Sequence, residues 1–159
     1  MAGPIPSLRV GPCEAPAADT TGWRIVEHDA FLFLVPPDFQ RMPVQPVDSD
    51  VAQWGTGPRR SAIYDFGPFS SDLQEATRLA GYSSCATQIG DRAAFLVAGW
   101  DSAGTWFGGG PKLVVAATWR DLRPGTTSSV HLTLSATSDR RNEYGVLVAI
   151  VRSVRFKPR

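Results

Sequence analysis

The chain has almost no lysine. Lys112 and Lys157 stand alone beside 14 arginines. Arginine's planar fork suits fixed hydrogen bonds to carboxylates or phosphates, although a general compositional habit gives the same bias. Histidine is as scarce, with only His28 and His131. A triad or a metal site needs imidazoles near one another or near carboxylates, and no HxH, HExxH or CxxC spacing occurs. Charge of one sign is also missing. Lys and Arg total 16 against 15 Asp and Glu, leaving +1, too weak a basic field for non-specific nucleic-acid binding. No apolar run approaches the roughly 18 residues a membrane span needs. Residues 1 to 9 lack the cationic start and apolar stretch of a targeting signal. The chain therefore reads as soluble, with peripheral membrane contact left open and an extracytoplasmic location if a leader has been removed. Cysteine is limited to Cys13 and Cys85, in no metal-ligand spacing. They permit one disulfide, pinning the start of the chain to a strand, and equally two unrelated thiols.

Catalytic motifs are absent in the same way. Asp48 and Asp50 begin like a calcium loop, but Gln53 and Arg59 stand where glycine and glutamate belong. Gly108-Gly-Gly-Pro-Lys112 lacks the Gly-Lys-[Ser/Thr] of a phosphate loop, because Pro111 intervenes and a strand follows. Ser70, Ser71, Ser83 and Ser84 sit in no Gly-x-Ser-x-Gly elbow. The expectation is no enzyme, no cofactor and no metal.

What is present is a core. A 159-residue chain with 43% apolar and 19% charged residues suits one globular domain, and buries roughly 70% of its unfolded surface. Two apolar runs, residues 93–100 and 113–119, flank a turn-rich connection and read as the central hairpin of an antiparallel sheet. Residues 1–22 carry Pro4, Pro6, Pro12 and Pro16 and read as an extended arm or loose tail; residues 23–159 form the domain. Residues 23–28, with Trp23 and Ile25 on one face, pair with 31–35 across a turn at His28–Ala30, and Pro36-Pro37 ends the second strand. Residues 47–54 form a short helix or edge strand, and 61–66 a strand. Ser71 and Gln74 resemble a capping box opening a short helix to Ala80. Residues 82–89 form another strand. In 129–136, Val130, Leu132, Leu134 and Ala136 face a core while His131, Thr133 and Ser135 face a wetter side. Ser138 or Asp139 caps a final amphipathic helix from Arg140 to about Ser153, with Tyr144, Leu147, Val148, Val151 and Val154 as its apolar stripe. The fold class is α+β: an antiparallel sheet of about six strands, a C-terminal helix packed on one face and a short helix in the middle.

The apolar strand Phe31-Leu-Phe-Leu-Val-Pro-Pro37 and the ending Ile150-Val-Arg-Ser-Val-Arg-Phe156 resemble the Mog1/PsbP-like α+β family, as does the order of elements over residues 23 to 157. Residues 47–54 followed by Tyr64-Asp-Phe-Gly67 also resemble uncharacterised bacterial proteins. The family resemblance implies accessory proteins that dock on larger assemblies, including extrinsic subunits of photosynthetic complexes. It implies no catalytic set.

Two surface features are candidate partner sites. Trp106 and Phe107 lie between glycines in the tip of the central hairpin and can anchor a partner; the alternative is that they fold back on their own sheet. Arg152, Arg155, Lys157 and Arg159 crowd the end of the last helix and could meet an acidic surface or lipid head groups. The favoured function is a non-catalytic interaction module, an accessory subunit on a larger, membrane-bound or photosynthetic complex. The alternative is a small-ligand or lipid-binding domain, with a pocket between sheet and last helix lined by Trp100, Trp119 or Tyr144. An enzyme would require His28 or His131 within bonding reach of Cys85 or a carboxylate in a cleft.

Overall fold

The structure, a computed structural model, describes residues 9–44, 50–122 and 129–158. Among these residues the strands are ten and lie in two antiparallel sheets, not one sheet of about six. The main sheet has seven strands in the order β3-β4-β5-β9-β8-β7-β6. These are β3 (Gln40–Met42), β4 (Asp50–Gly57), β5 (Arg60–Gly67), β6 (Ala80–Ile89), β7 (Arg92–Asp101), β8 (Lys112–Trp119) and β9 (His131–Ser138). The expected hairpin is β7–β8, in register from Phe95 opposite Thr118 to Asp101 opposite Lys112. The middle strand, however, is β9. The described part of residues 47–54 is strand, and β3 covers it in place of leaving it at the edge. The second sheet joins β1 (Arg24–Glu27), β2 (Phe31–Val35) and β10 (Arg155–Phe156). On β1 the inward residue is Val26, while Ile25 on the opposite face is 59% exposed.

One face of the main sheet, here the inner face, is closed by α1 (Tyr144–Arg152). Leu147, Val148 and Val151 pack with Leu96, Val115, Ala117, Leu132 and Leu134 in one dry cluster, which also takes Phe31, Phe33 and Val35. Each such side chain contributes about 1.5–3 kcal/mol on burial. Trp119 is fully buried and its Nε1 donates to the Ile89 carbonyl at 3.2 Å. The alternative reading places a ligand pocket in this layer lined by Trp100, Trp119 or Tyr144; Trp119 and Tyr144 are buried in the core and Trp100 packs partly buried against it. The helix is shorter than expected. A 3-10 turn, Arg141–Glu143, replaces its first turn and no side chain caps α1. Ser138 instead accepts from the Arg140 amide and donates to Glu143 at 2.6 Å. Glu143 also takes both arms of the Arg60 fork, at 2.8 and 3.0 Å. Burial pushes this carboxyl up, but the bonds from Arg60 and Ser138 outweigh it and hold the pKa below its ordinary value.

The described part of the proline-rich arm lies along α1. The Ala18 amide donates to the Gly145 carbonyl, and a Cβ at Gly145 would meet the Pro16 carbonyl at 3.0 Å, so the close approach favours glycine. Arg152 donates to the Ala15 and Pro12 carbonyls, and the Tyr144 hydroxyl to that of Val10. Burial pushes the Tyr144 phenol up to about 12. Cys13 and Cys85 form a disulfide between this arm and β6.

The outer face of the main sheet is covered differently. The expected capping box at Ser71 does not form. Leu73 takes the cap position at φ +67, and a 3-10 helix, Gln74–Arg78, stops where β6 begins. Ser71 accepts from the Leu73 amide and donates to Glu75, so its hydroxyl stabilises a turn rather than a helix start. Leu73, Ala76 and Leu79 join Trp106 over Val97, Val114 and Ala116 in a second, smaller cluster. Thr133 and Ser135 of β9, expected on a wetter side with His131, are buried on this face. Thr133 donates to the Ser71 carbonyl at 2.5 Å, which meets the requirement that buried hydroxyls be bonded.

Candidate functional site

The connection between β7 and β8 is an irregular segment held by a buried set of polar bonds. Its two ends are Asp101 and Lys112, both buried and directly opposed in register. Asp101 Oδ1 accepts from the Gly104 and Thr105 amides, and Oδ2 from the Trp106 amide at 2.8 Å and from Lys112 Nζ at 3.2 Å. Lys112 Nζ also donates to the Gly108 and Gly110 carbonyls at 2.6 and 3.1 Å. Burial pushes the Asp101 carboxyl up, but the Trp106 amide and Lys112 outweigh it and lower its pKa. An ammonium with three acceptors suits this narrow nest of carbonyls better than a planar fork would. The tip is therefore braced from within.

This brace decides where the aromatic pair goes. Trp106 is turned inward and 9% exposed, while Phe107 is 58% exposed at φ +58. A bulky residue in the left-handed region costs about 1–3 kcal/mol and persists only where its surroundings hold it. Gly108, Gly109 and Gly110 follow at φ +71, +83 and +91. The rings of Trp106 and Phe107 stand 6.1 Å apart at 89°. Sequence reasoning missed Phe69, which is 74% exposed in the turn before Ser71. Its signal was available: a large aromatic between Pro68 and Ser70, bracketed by turn formers like Phe107. It also missed the Asp101–Lys112 brace, whose signal is a rare lysine at a strand start.

The basic end is largely occupied by the protein itself. Arg152 holds the arm, Arg155 donates to the Arg152 and Val154 carbonyls, and Lys157 pairs with Glu27 at 3.0 Å. Arg159 lies outside the described residues, as does Asp48.

His28 meets the condition set for an enzyme, a histidine within bonding reach of a carboxylate in a cleft. Its Nε2 lies 2.5 Å from Asp50 Oδ2, beside a cleft of about 310 Å³ that Arg92 and Phe156 also line. Its Nδ1, however, accepts the Ala30 amide at 3.0 Å, and the ring stacks on Phe31 at 4.4 Å. With both nitrogens engaged, the imidazole offers no lone pair to a substrate proton. Serine, threonine and cysteine are absent from the described lining of that cleft. Cys85 is held in its disulfide. His131 accepts the Asp121 amide at Nδ1, and burial, then Arg120, lowers its pKa. Among the described residues no three His, Cys, Asp or Glu group as metal ligands, and no helix is long and apolar enough to cross a membrane.

No protein-family model matches the chain, and no curated protein matches it. Among solved structures the chain is similar to the Ran-binding protein Mog1p of Saccharomyces cerevisiae, with a TM-score of 0.44 and 15% identity over 84% of this chain and 94% of that one. No residue or partner of Mog1p passes to this chain with that similarity.

Proposed function

We propose that the protein is a non-catalytic interaction module that docks through the β7–β8 loop. One observation carries the reading: Phe107 is held outward in a strained backbone conformation by a buried ion pair. Strain of this kind, maintained by a dedicated clamp, is spent on presenting a side chain rather than on packing it. Exposed aromatics on a rigid frame supply much contact area at little entropic cost, and they dominate binding where they occur at interfaces. Phe69 extends the exposed aromatic surface of the irregular segments. Trp106 supports the loop from beneath. Arg152, Arg155 and Lys157 have internal partners, so the docking surface is confined to the loop. The finer form, an accessory subunit on a larger membrane-bound or photosynthetic complex, rests on the sequence resemblance alone.

The test replaces Phe107 with a photoreactive phenylalanine and cross-links the full chain in its native lysate. The control carries the same group at Ile25, which is 59% exposed on the second sheet. A discrete adduct at position 107 that position 25 does not give is the expected result. Equal labelling at both positions removes the docking role of the loop.

A further inference from the structure

The two edges of the main sheet are not alike. β3 ends one side with three residues, Arg41 at its centre and Pro43 directly after it. Short length, charge and proline are the usual ways an edge is kept from pairing with other strands. β6 ends the other side with ten residues, Ala80-Gly-Tyr-Ser-Ser-Cys-Ala-Thr-Gln-Ile89, and has no charge and no proline. Its one irregularity lies between Ala80 and Ser83; from Ser83 to Ile89 the register with β7 is unbroken. The disulfide leaves this strand from Cys85 toward the inner cluster, not across the edge.

The turn into β7 fixes which backbone groups face outward. Gly90 and Asp91 stand at φ +63 and +65, as in the two-residue hairpin loop whose flanking pair, here Ile89 and Arg92, exchanges both backbone bonds. Alternation from there turns the backbones of Ser83, Cys85 and Thr87 toward β7, and those of Ser84, Ala86 and Gln88 outward. Among the described residues no strand pairs with that side. On the outer face Ala86 lies opposite Phe95, which is 37% exposed because the cover of Leu79 and Trp106 reaches Val97 and stops there. An uncharged edge thus has an apolar strip beside it.

We propose that β6 pairs antiparallel with β6 of a second copy about a two-fold axis, joining the two main sheets into one. A two-fold contact has to be self-complementary. Centred on Ala86, it sets Ser84 against Gln88 of the second copy and Ala86 against Ala86, with no like charges opposed. It also carries the hairpin tip of each copy to the start of β6 in the other, which brings Asp91 towards Arg78. Both are exposed, and no described residue bonds either side chain. Glu75, three residues before Arg78, takes the Ser71 hydroxyl, and Arg92, beside Asp91, is turned onto the Phe156 ring. A parallel pairing would instead set Asp91 by Asp91 and Arg78 by Arg78. Because the axis runs perpendicular to the sheet, both outer faces turn the same way. The pair then presents two Phe107 loops on one side, the geometry of bivalent docking, although the pairing itself does not rest on that docking.

The test is sedimentation velocity of the full chain, disulfide intact, from about 1 μM to about 1 mM, with amide exchange read residue by residue. The expected result is a concentration-dependent dimer in which the amides of Ser84, Ala86 and Gln88 become protected. Ala86→Lys sets two ammoniums on the axis and leaves a monomer over that range. Its thermal midpoint stays in place, since the position is exposed. Ala86→Pro removes one outward donor and no bond to β7, and it too leaves a monomer. Arg78→Glu weakens the dimer about five-fold, while Phe107→Ala leaves it unchanged. A chain that stays monomeric throughout, a dimer kept by Ala86→Lys, or a dimer in which those three amides still exchange freely overturns the proposal.

Discussion

The two faces of the main sheet are built from the same strands and closed in opposite ways. The inner face is covered by one helix whose stripe of Leu147, Val148 and Val151 interlocks with branched side chains, with an arm strapped behind it. The outer face presents hydroxyls of β9 to a short 3-10 helix and a braced loop, and keeps cavities between them. Close packing leaves no room for a partner and gives most of the stability. A cover of turns, held by a few polar bonds, leaves recesses and exposed rings. In the proposed reading, stability lies on one side of the sheet and recognition on the other.

The sharpest challenge to this contrast is Trp119→Ala on the inner side. It should cost about 4 kcal/mol, the range for deleting a buried tryptophan, read as a fall in the urea midpoint with an unchanged slope. Cross-linking at position 107 should survive wherever the variant remains folded. Lys112→Met comes next. Removing one partner of a buried pair costs about 3 kcal/mol or more, because Asp101 is left charged and unpaired. Unlike Trp119→Ala, this variant should also lose the adduct at position 107, since the clamp that sets Phe107 is gone. If it retained that adduct at full yield, the brace would not position the ring.

Acid sharpens the comparison further. Glu143 and Asp101 both have pKa values below the ordinary carboxylate range. A depressed carboxyl contributes stability that is present above its unfolded pKa and lost as pH falls through its folded one. Urea titrations should be level from pH 7 to about 5 and decline below about 4.5. Glu143→Gln should start lower and decline less steeply. A decline that began above pH 6 would point to another group. The smallest expected change is in Phe107→Ala. Its stability should shift by less than about 0.5 kcal/mol, as exposed positions do, since alanine keeps the Cβ that the left-handed region disfavours. Partner capture should nevertheless fall by ten-fold or more.

The inner face was legible in the sequence because periodicity reports burial directly. Tyr144, Leu147, Val148, Val151 and Val154 recur at helical spacing, and all five are buried. The β7–β8 hairpin announced itself through branched residues between turn formers. The outer face was less legible for physical reasons. Thr133 and Ser135 look solvent-facing by polarity, and partners far away in sequence, the Ser71 carbonyl and the Thr118 and Ser70 hydroxyls, explain why Thr133 can be buried. Strands of two or three residues, such as β3 and β10, are too short to show alternation. The Ser71 capping pattern was a true hydroxyl–backbone signal with the wrong outcome, because β6 begins too soon for an α-helix to grow. Trp106 and Phe107 were singled out as a pair, yet nothing in their spacing says that one turns in and the other out. That division is set by Asp101 and Lys112, eleven residues apart in sequence and side by side across two strands.

The bridge from Cys13 to Cys85 joins positions 72 residues apart. In a reducing milieu a dithiol would open this buckle, and the opening segment would be free to peel from the helix. Tyr144 and Arg152 would then point their donors at water instead of at the carbonyls of Val10, Pro12 and Ala15. The back of the molecule would change its hydrogen-bonding character while the aromatic front stayed as it was, so the two sides answer to different chemical environments.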